Sequence, residues 1–276
     1  MIFVSFSLVS GHLKNLWIGK FSIFPEELFI HGISTRHGGG STGAFDSLNL
    51  GLHVEDDANR VRHNRDILFE GLGLPRGQGI TCQQVHGSKV VKVTRAQAGR
   101  GMYDYDQSIA DTDGLITNEP GLPLMLFFAD CTPILIADPV HKAIGVGHGG
   151  WRGTVASIGV KMVEMMEQEY GSRPESLLAG IGPAIGPCCY EVGQEVAQQF
   201  RDAFPEFCDK IVMDKPNGKA KLNLWEANRL QLVGAGLKPE NIDVAGVCTA
   251  CNHRQFFSYR ADGGRTGRIA AVLSIK

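Results

Sequence analysis

Three side chains in this 276-residue chain have the types that hold a transition-metal ion: His86 in QQVHG, Cys131 in FFADCTPILIAD and His148 in VGHGGWRGT. Each stands at the end of an apolar run, beside a glycine or a turn. The gaps from 86 to 131 and from 131 to 148 match no compact metal-finger spacing. Their chemistry is more informative than their spacing. Two imidazoles and a thiolate suit Zn²⁺, and three protein ligands leave the fourth tetrahedral position open, as in catalytic zinc sites. A dication facing one thiolate keeps a charge of about +1, enough to draw the pKa of a bound water toward ~7 and supply hydroxide at neutral pH. The same ligand set also suits blue copper. Taken singly, each residue has an ordinary structural reading, Cys131 as a small core hydrophobe and the histidines as strand-end hydrogen bonders.

A second chemistry is anion binding. Gly149 and Gly150 allow a tight turn, and a helix expected from Gly153 would aim its free N–H groups at the same place, with Arg152 adding a planar cationic fork. Such a place suits phosphate. Arg36 and His37 in STRHGGG, followed by Asn49, offer further phosphate or sugar contacts. A solvated arginine and a surface hairpin loop are the competing readings of these two segments.

The seven cysteines are an odd number in a chain long enough to fold without crosslinks, which favours a reducing cytoplasm with free or metal-bound thiols. CTACNH, 248 to 253, carries a Cys-x-x-Cys and a nearby His253, yet a structural zinc generally wants a second pair and no other CxxC occurs. The vicinal Cys188 and Cys189 do not readily bridge each other and read as buried thiols. They sit in GIGPAIGPCCYEVG, a Gly/Pro loop of the kind that lines sites.

Elements must position these groups. Short apolar runs predict strands over Leu28 to Ser34, Ile80 to Gln84, Val90 to Thr94, Gly114 to Thr117, Leu122 to Phe128, Pro133 to Ala137, Ala143 to Val146, Leu177 to Ile181, Ile242 to Val247, Gln255 to Tyr259 and Ile269 to Ile275. Apolar spacings of three and four predict helices over Gly153 to Tyr170, Glu191 to Phe204 and Leu222 to Ala235. Successive strands between 122 and 146 imply hairpins rather than a purely parallel sheet, and the fold class is α+β, a mixed-sheet sandwich. With no linker, repeat or low-complexity tract, a single domain is expected over residues 23–276, preceded by a poorly ordered extension over 1–22.

Composition narrows the partners. Hydrophobic residues make up 43% and charged residues 20%, and the formal net charge is −2 without blocks of like charge. That excludes a nucleic-acid footprint or a polybasic membrane patch and favours small molecules. No run of 18 apolar residues marks a membrane span, and the N-terminal apolar stretch lacks the preceding basic region of a signal peptide.

STRHGG, QVHG, ADCTPILIAD, GHGGWRGT, IGPAIGPCCYEVG and FFSYRADGGRTGR occur in this order, and together they resemble the YfiH, or laccase-domain, family, also labelled polyphenol oxidase or peptidoglycan editing factor. The similarity runs from about Phe24 to the C-terminus. It implies an α/β sandwich shared with the cytotoxic necrotizing factor catalytic domain. It also implies a cytoplasmic purine nucleoside phosphorylase with adenosine deaminase and methylthioadenosine phosphorylase activities. The family's zinc ligands map to His86, Cys131 and His148, which would also be catalytic, while Arg36, Asn49 and Arg152 match motif residues expected at the substrate. Purine nucleosides and phosphate are the implied partners, the chain acting as a monomer or homodimer, and Asp130 is a candidate for protonating the purine. Three alternatives stand beside this. A copper polyphenol oxidase needs further clustered histidines, and the nine present include no His-x-His. A hydrolase editing peptidoglycan precursors would use Cys131 as nucleophile and His148 as base. The third is a non-enzymatic nucleotide-binding protein.

Overall fold

The computed structural model describes residues 5–11, 13 and 15–276. In chain order its elements are β1 (Phe6–Ser10), β2 (Trp17–Phe21), β3 (Phe29–Ser34), α1 (Ala58–Leu72), β4 (Val90–Lys92), β5 (Gly114–Thr117), β6 (Leu124–Phe128), β7 (Thr132–Asp138), β8 (Ala143–Gly149), α2 (Trp151–Val155), α3 (Ile158–Tyr170), β9 (Leu178–Ile181), β10 (Glu191–Val192), α4 (Gln194–Ala203), α5 (Cys208–Ile211), β11 (Val212–Asp214), β12 (Ala220–Leu222), α6 (Leu224–Gly234), β13 (Ile242–Val244) and β14 (Ile269–Ile275). Two large sheets dominate. One has the order β1-β2-β3-β14-β6 and the other β13-β9-β7-β8-β5-β4, with a small sheet β10-β12-β11 beside them. The first is antiparallel throughout. The second is antiparallel in its middle and parallel at both edges, where β13 joins β9 and β4 joins β5.

Alternation along the strands explains the layering. Leu124, Leu126 and Phe128 of β6 join Leu135 and Ala137 of β7 and Ile144 and Val146 of β8 in one core between the sheets. The intervening β6 residues Met125 and Phe127 face Leu68 and Phe69 of α1 on the outer side. Ile134 and Ile136 of β7 face Ile158, Met162 and Met166 of α3. The order is therefore helix, sheet, sheet, helix, and each fully buried Leu, Ile or Phe contributes about 1.5–3 kcal/mol. Glycines in β8 set how closely α3 can lie: a Cβ at Gly147 would stand 2.4 Å from Met162 Sδ.

The chain changes sheets between β6 and β7, so the pair is not a hairpin. Ala129, Asp130 and Cys131 make that step, with Asp130 at φ 82° turning the chain sharply. Cys131 is thereby delivered to the sheet ends beside His148, next to last in β8.

Several expectations need correction. The segment 1–22, expected to be a poorly ordered extension, instead supplies β1 and β2 among its described residues, and Leu16, Ile18 and Phe21 are buried; residues 1–4, 12 and 14 lie outside the described residues. Helix α1 carries no simple apolar stripe because its buried face includes Asn64 and Arg65. The Arg65 guanidinium donates to the carbonyls of Leu50, Gly101 and Met102 at 2.7–2.8 Å and lies over the Phe127 ring. Asp57 caps this helix by accepting from the N–H groups of Asn59 and Arg60, and Gly73 closes it at φ 70°. The helix expected over 153–170 is two helices, because Ser157 at φ 58° breaks it. Gln255 to Tyr259 is turn and irregular chain rather than a strand, and Ile80 to Gln84 contributes only isolated bridges to Leu124 and Ile109. Among the described residues, no helix is long and apolar enough to cross a membrane.

Candidate active site

His86, Cys131 and His148 converge. One ligand atom from each lies within 4.8 Å of the others, and the two imidazoles meet edge to face with centroids 4.9 Å apart. The organiser is Asp113, a fully buried carboxylate in the turn before β5. Its Oδ1 is 2.9 Å from His148 Nδ1 and accepts the His86 N–H at 3.0 Å, while Oδ2 accepts the N–H groups of Gly87 at 2.7 Å and Val85 at 3.3 Å. Three successive amides wrapped on one carboxylate hold His86 at φ 60°, a conformation few non-glycine residues adopt. An anionic acceptor at Nδ1 puts that nitrogen's proton there and leaves Nε2 of His148 as the donor atom toward Cys131. This is the carboxylate–histidine arrangement that fixes tautomer and ring angle in metal sites.

Electrostatics follow from burial and proximity. Burial alone would raise the Cys131 thiol, but the charge and hydrogen bond of His148 and the contact with His86 bring it down to about 6. Burial alone would lower His148, yet Cys131 and Asp113 raise it to about 9. Asp113 is pushed up by burial and pulled further down by His148 and its amide donors, so its pKa is lowered overall and it is ionised at neutral pH.

Gly150 closes the group from one side. A Cβ there would stand 3.1 Å from His86 Cδ2, 3.2 Å from Cys131 Sγ and 3.8 Å from His148 Cε1. The glycine pair of the GHGGWRGT segment thus keeps backbone, rather than a side chain, against the three donors. Two borderline nitrogens, one ionised sulfur, an anchored second layer and this close backbone fit a zinc ion.

The group opens into a cavity of about 470 Å³, within the size range of small-molecule sites. Aromatic side chains His53, Tyr105, Phe127, Tyr190 and Tyr259 form much of its wall, and Arg260 and Arg268 supply cations. Burial, then Arg268 and Arg65, lower His53 to about 3, so its imidazole is neutral in the physiological range. Gln84 is locked to the Phe127 backbone by a reciprocal pair of hydrogen bonds at 2.7 and 2.8 Å.

The residues expected at the substrate fall elsewhere. Asn49 is fully buried; its Oδ1 accepts the N–H groups of Gly51 and Arg268, and its amide donates to Asp56. It braces the segment that carries Arg268 into the cavity. Arg36 donates to the carbonyls of Asp46 and His253 and packs over Phe257, tying two loops together outside the cavity wall. Arg152 is exposed and lies over the Trp151 ring. The helix beginning at Trp151 has five residues, too short to supply the dipole expected of a longer one. Asp130 does line the cavity, but its oxygens accept from Thr249 Oγ1 at 2.6 Å and the Arg260 N–H at 2.7 Å.

Asp113 was not singled out from the sequence, nor were Arg268, Tyr190 and the other cavity aromatics. The signal for Asp113 was present: an ADTDG turn feeding an apolar strand, in a chain whose candidate ligand His148 would require an acceptor for its second nitrogen. Arg268 ends the FFSYRADGGRTGR motif, but nothing in its type or spacing there marks it as a cavity residue.

Comparison with known proteins places this arrangement. Residues 30–276 match the family model described as multi-copper polyphenol oxidoreductase laccase. The chain is 42% identical over 244 residues to the purine nucleoside phosphorylase YlmD of Geobacillus stearothermophilus, covering 88% of this chain and 89% of that protein. It is 34% identical over 225 residues to an adenosine deaminase from an unknown prokaryotic organism, covering 82% and 86%. Among solved structures, YlmD from G. stearothermophilus superposes with a TM-score of 0.92 at 38% identity over 98% of this chain and all of that one. The YfiH protein of Bacillus licheniformis gives 0.91 at 36% identity over 96% and 98%. A buried carboxylate steering two histidines onto a sheet-crossing cysteine is thus set in a shared α+β sandwich, and the chain belongs to the laccase-like YfiH family.

Proposed function

We propose that the chain is a zinc-dependent purine nucleoside phosphorylase that also deaminates adenosine and cleaves methylthioadenosine, working in the cytoplasm as a monomer or homodimer, with a single catalytic domain made of residues 23–276 together with β1 and β2. The observation that carries this reading is the convergence of His86, Cys131 and His148 at the floor of a cavity with aromatic walls and two arginines. The names carried by the relatives, purine nucleoside phosphorylase and adenosine deaminase, support the same substrate class.

His86, Cys131 and His148 would hold a zinc ion, which would supply Lewis acidity at neutral pH. The chain's own residues do the rest. Asp113 keeps both histidines aimed, holding the His148 ring through Nδ1 and the His86 backbone through its N–H. The aromatic rings give a purine base stacking surfaces, and neutral His53 offers a hydrogen-bonding edge without a competing charge. Arg268 and Arg260 hold phosphate beside the sugar's anomeric carbon, converting a bimolecular attack into a positioned one. Asn49 and Arg36 act through the loops they brace, and Arg152 adds positive potential beside Tyr190, a group on which both it and Arg260 act. Asp130 fixes the Arg260 backbone. Copper polyphenol oxidation is disfavoured by the ligands, because the two clusters of potential metal ligands among the described residues contain only two histidines in all.

The test is to incubate metal-quantified protein with a nucleoside panel, with and without phosphate, and identify products by mass. Phosphate-dependent release of free base together with ribose 1-phosphate supports the reading; tight purine binding without turnover at any phosphate concentration rejects it. One observation favours a second reading. The chain Cys131, His148, Asp113 also has the order of a thiol nucleophile, its base and an orienting carboxylate, as a hydrolase acting on peptidoglycan precursors would need. A covalent acyl-enzyme trapped at Cys131, formed equally well in the presence of a chelator, selects that reading instead.

A further inference from the structure

Cys188, Cys189, Cys248 and Cys251 also come together, with all four sulfurs within 4.8 Å of one another. The second pair that the lone CxxC lacked in sequence is the vicinal pair, brought alongside by a parallel bridge between Ala184 and Cys248. Cys251 Sγ lies 3.5 Å from Cys188 Sγ and 3.4 Å from Cys189 Sγ. Four thiolates bound tetrahedrally at about 2.3 Å stand about 3.8 Å from each other, so the sulfurs are already near the edges of such a tetrahedron. A four-iron cluster spreads its thiolates wider than this.

The backbone is arranged for thiolate charge. Cys248 Sγ accepts the Gly186 N–H at 3.2 Å and the Cys251 N–H at 3.5 Å. The second of these is the i to i+3 amide-to-sulfur contact of a CxxC turn wrapped around a ligand. Two cations attend the loop: Lys221 Nζ donates to the Cys188 carbonyl, and Arg260 donates to the carbonyls of Cys189 at 3.4 Å and Glu191 at 3.2 Å. They offset the net charge of about −2 that four thiolates leave on a divalent ion.

We propose that these four cysteines form a second metal site, a closed tetrathiolate centre for zinc, separate from the His86, Cys131, His148 group and structural in role. All four positions come from protein, so no corner is open for substrate. Binding releases the thiol protons to solvent and changes no oxidation state. Its place in the fold gives it a task. The two loops it joins carry Ile185 and Tyr190 on one side and Thr249 on the other, and Thr249 donates to Asp130 while Ile185 donates its N–H to the Asp130 carbonyl at 2.9 Å. The centre therefore clamps the part of the cavity wall formed by Asp130, Ile185 and Tyr190.

The experiment counts zinc per chain in the full-length protein purified without chelator, in Cys131→Ala, and in Cys188→Ser/Cys251→Ser. We expect two equivalents falling to one in each variant, with the Co²⁺-substituted Cys131→Ala protein showing the intense visible bands of tetrahedral cobalt bound by thiolates. The variants report on different sites, so loss of the proposed catalytic zinc and loss of the structural one are told apart. Should the double serine variant fail to fold, alkylation of wild-type protein decides: zinc must protect four cysteines besides Cys131, and chelator must expose them. An unchanged zinc count in a folded Cys188→Ser/Cys251→Ser protein, or mass spectrometry showing these cysteines disulfide-bonded or freely alkylated in zinc-loaded protein, overturns the proposal.

Discussion

Replacing Asp113 by asparagine removes the charge on which both histidines are mounted while keeping side-chain shape. The carboxylate accepts four hydrogen bonds, from His148 Nδ1 and from the amides of residues 85, 86 and 87. An asparagine has one acceptor oxygen, so whichever way it turns, its NH₂ group faces two of those donors. Hydrogen bonds to charged groups contribute about 1.5–3 kcal/mol each, and losing two costs about 3–6 kcal/mol before relaxation. The His86 loop, held at positive φ by these amides, then relaxes, and His148 loses the bond that fixes its tautomer. Removing such a partner of a ligating histidine typically lowers metal affinity 10–100-fold. Zinc affinity measured by chelator competition should fall by that factor, the melting temperature should drop, and phosphorolysis should recover in part at high added zinc. The pH sign follows from the lowered Asp113 pKa: the stabilisation is present above the unfolded carboxylate value and is lost as pH falls through the folded one. Wild-type protein should thus lose more stability on acidification than the asparagine variant. Unchanged zinc affinity with unchanged melting temperature in Asp113→Asn would refute the role assigned to this carboxylate.

Gly150→Ala tests the close backbone. At φ −67° and ψ 169° alanine meets no backbone strain, but the methyl contacts at 3.1 and 3.2 Å require the His86 ring and Cys131 sulfur to yield by a few tenths of an ångström; chelator competition should show zinc affinity down about tenfold, with apo-protein stability changed by less than about 1 kcal/mol. In metal-free protein, Cys131 alkylation by iodoacetamide should be half-maximal near pH 6 rather than near 9, because the thiol is lowered to about 6, and zinc should suppress it. The accompanying stability has two edges: the thiolate's share fades as pH falls through about 6, and that of His148 fades as pH rises through about 9. Arg268→Ala should raise the KM for phosphate about tenfold or more while leaving zinc content intact, measured by steady-state phosphorolysis and metal analysis, since it removes a cation from the cavity and no metal ligand.

Much of this fold was legible because apolar runs and turn residues mark strands wherever both faces are buried. Gly114 to Thr117 and Ile269 to Ile275 coincide with β5 and β14. The failures have physical causes. Helix α1 hides because its inward face spends Asn64 and Arg65 on loop carbonyls, so its periodicity is not apolar. Strands β1 and β2 hide because β1 is largely exposed at a sheet edge and β2 buries residues in an uneven pattern. The candidate metal ligands could be named because cysteine and histidine carry their chemistry in their type and stand in motifs that resemble the family's. The cavity's other residues could not, since an arginine or tyrosine becomes part of a site only through the loop that carries it. Asn49 and Arg36 show the converse: their motifs are recognisable, yet their side chains are consumed in bracing loops.

The most direct measurement is a crystal structure of the purified protein with anomalous diffraction recorded on either side of the zinc absorption edge. We expect a zinc peak bonded to His86, Cys131 and His148, with its remaining coordination position directed into the cavity. An active crystal form in which those three side chains hold no metal would contradict the central claim.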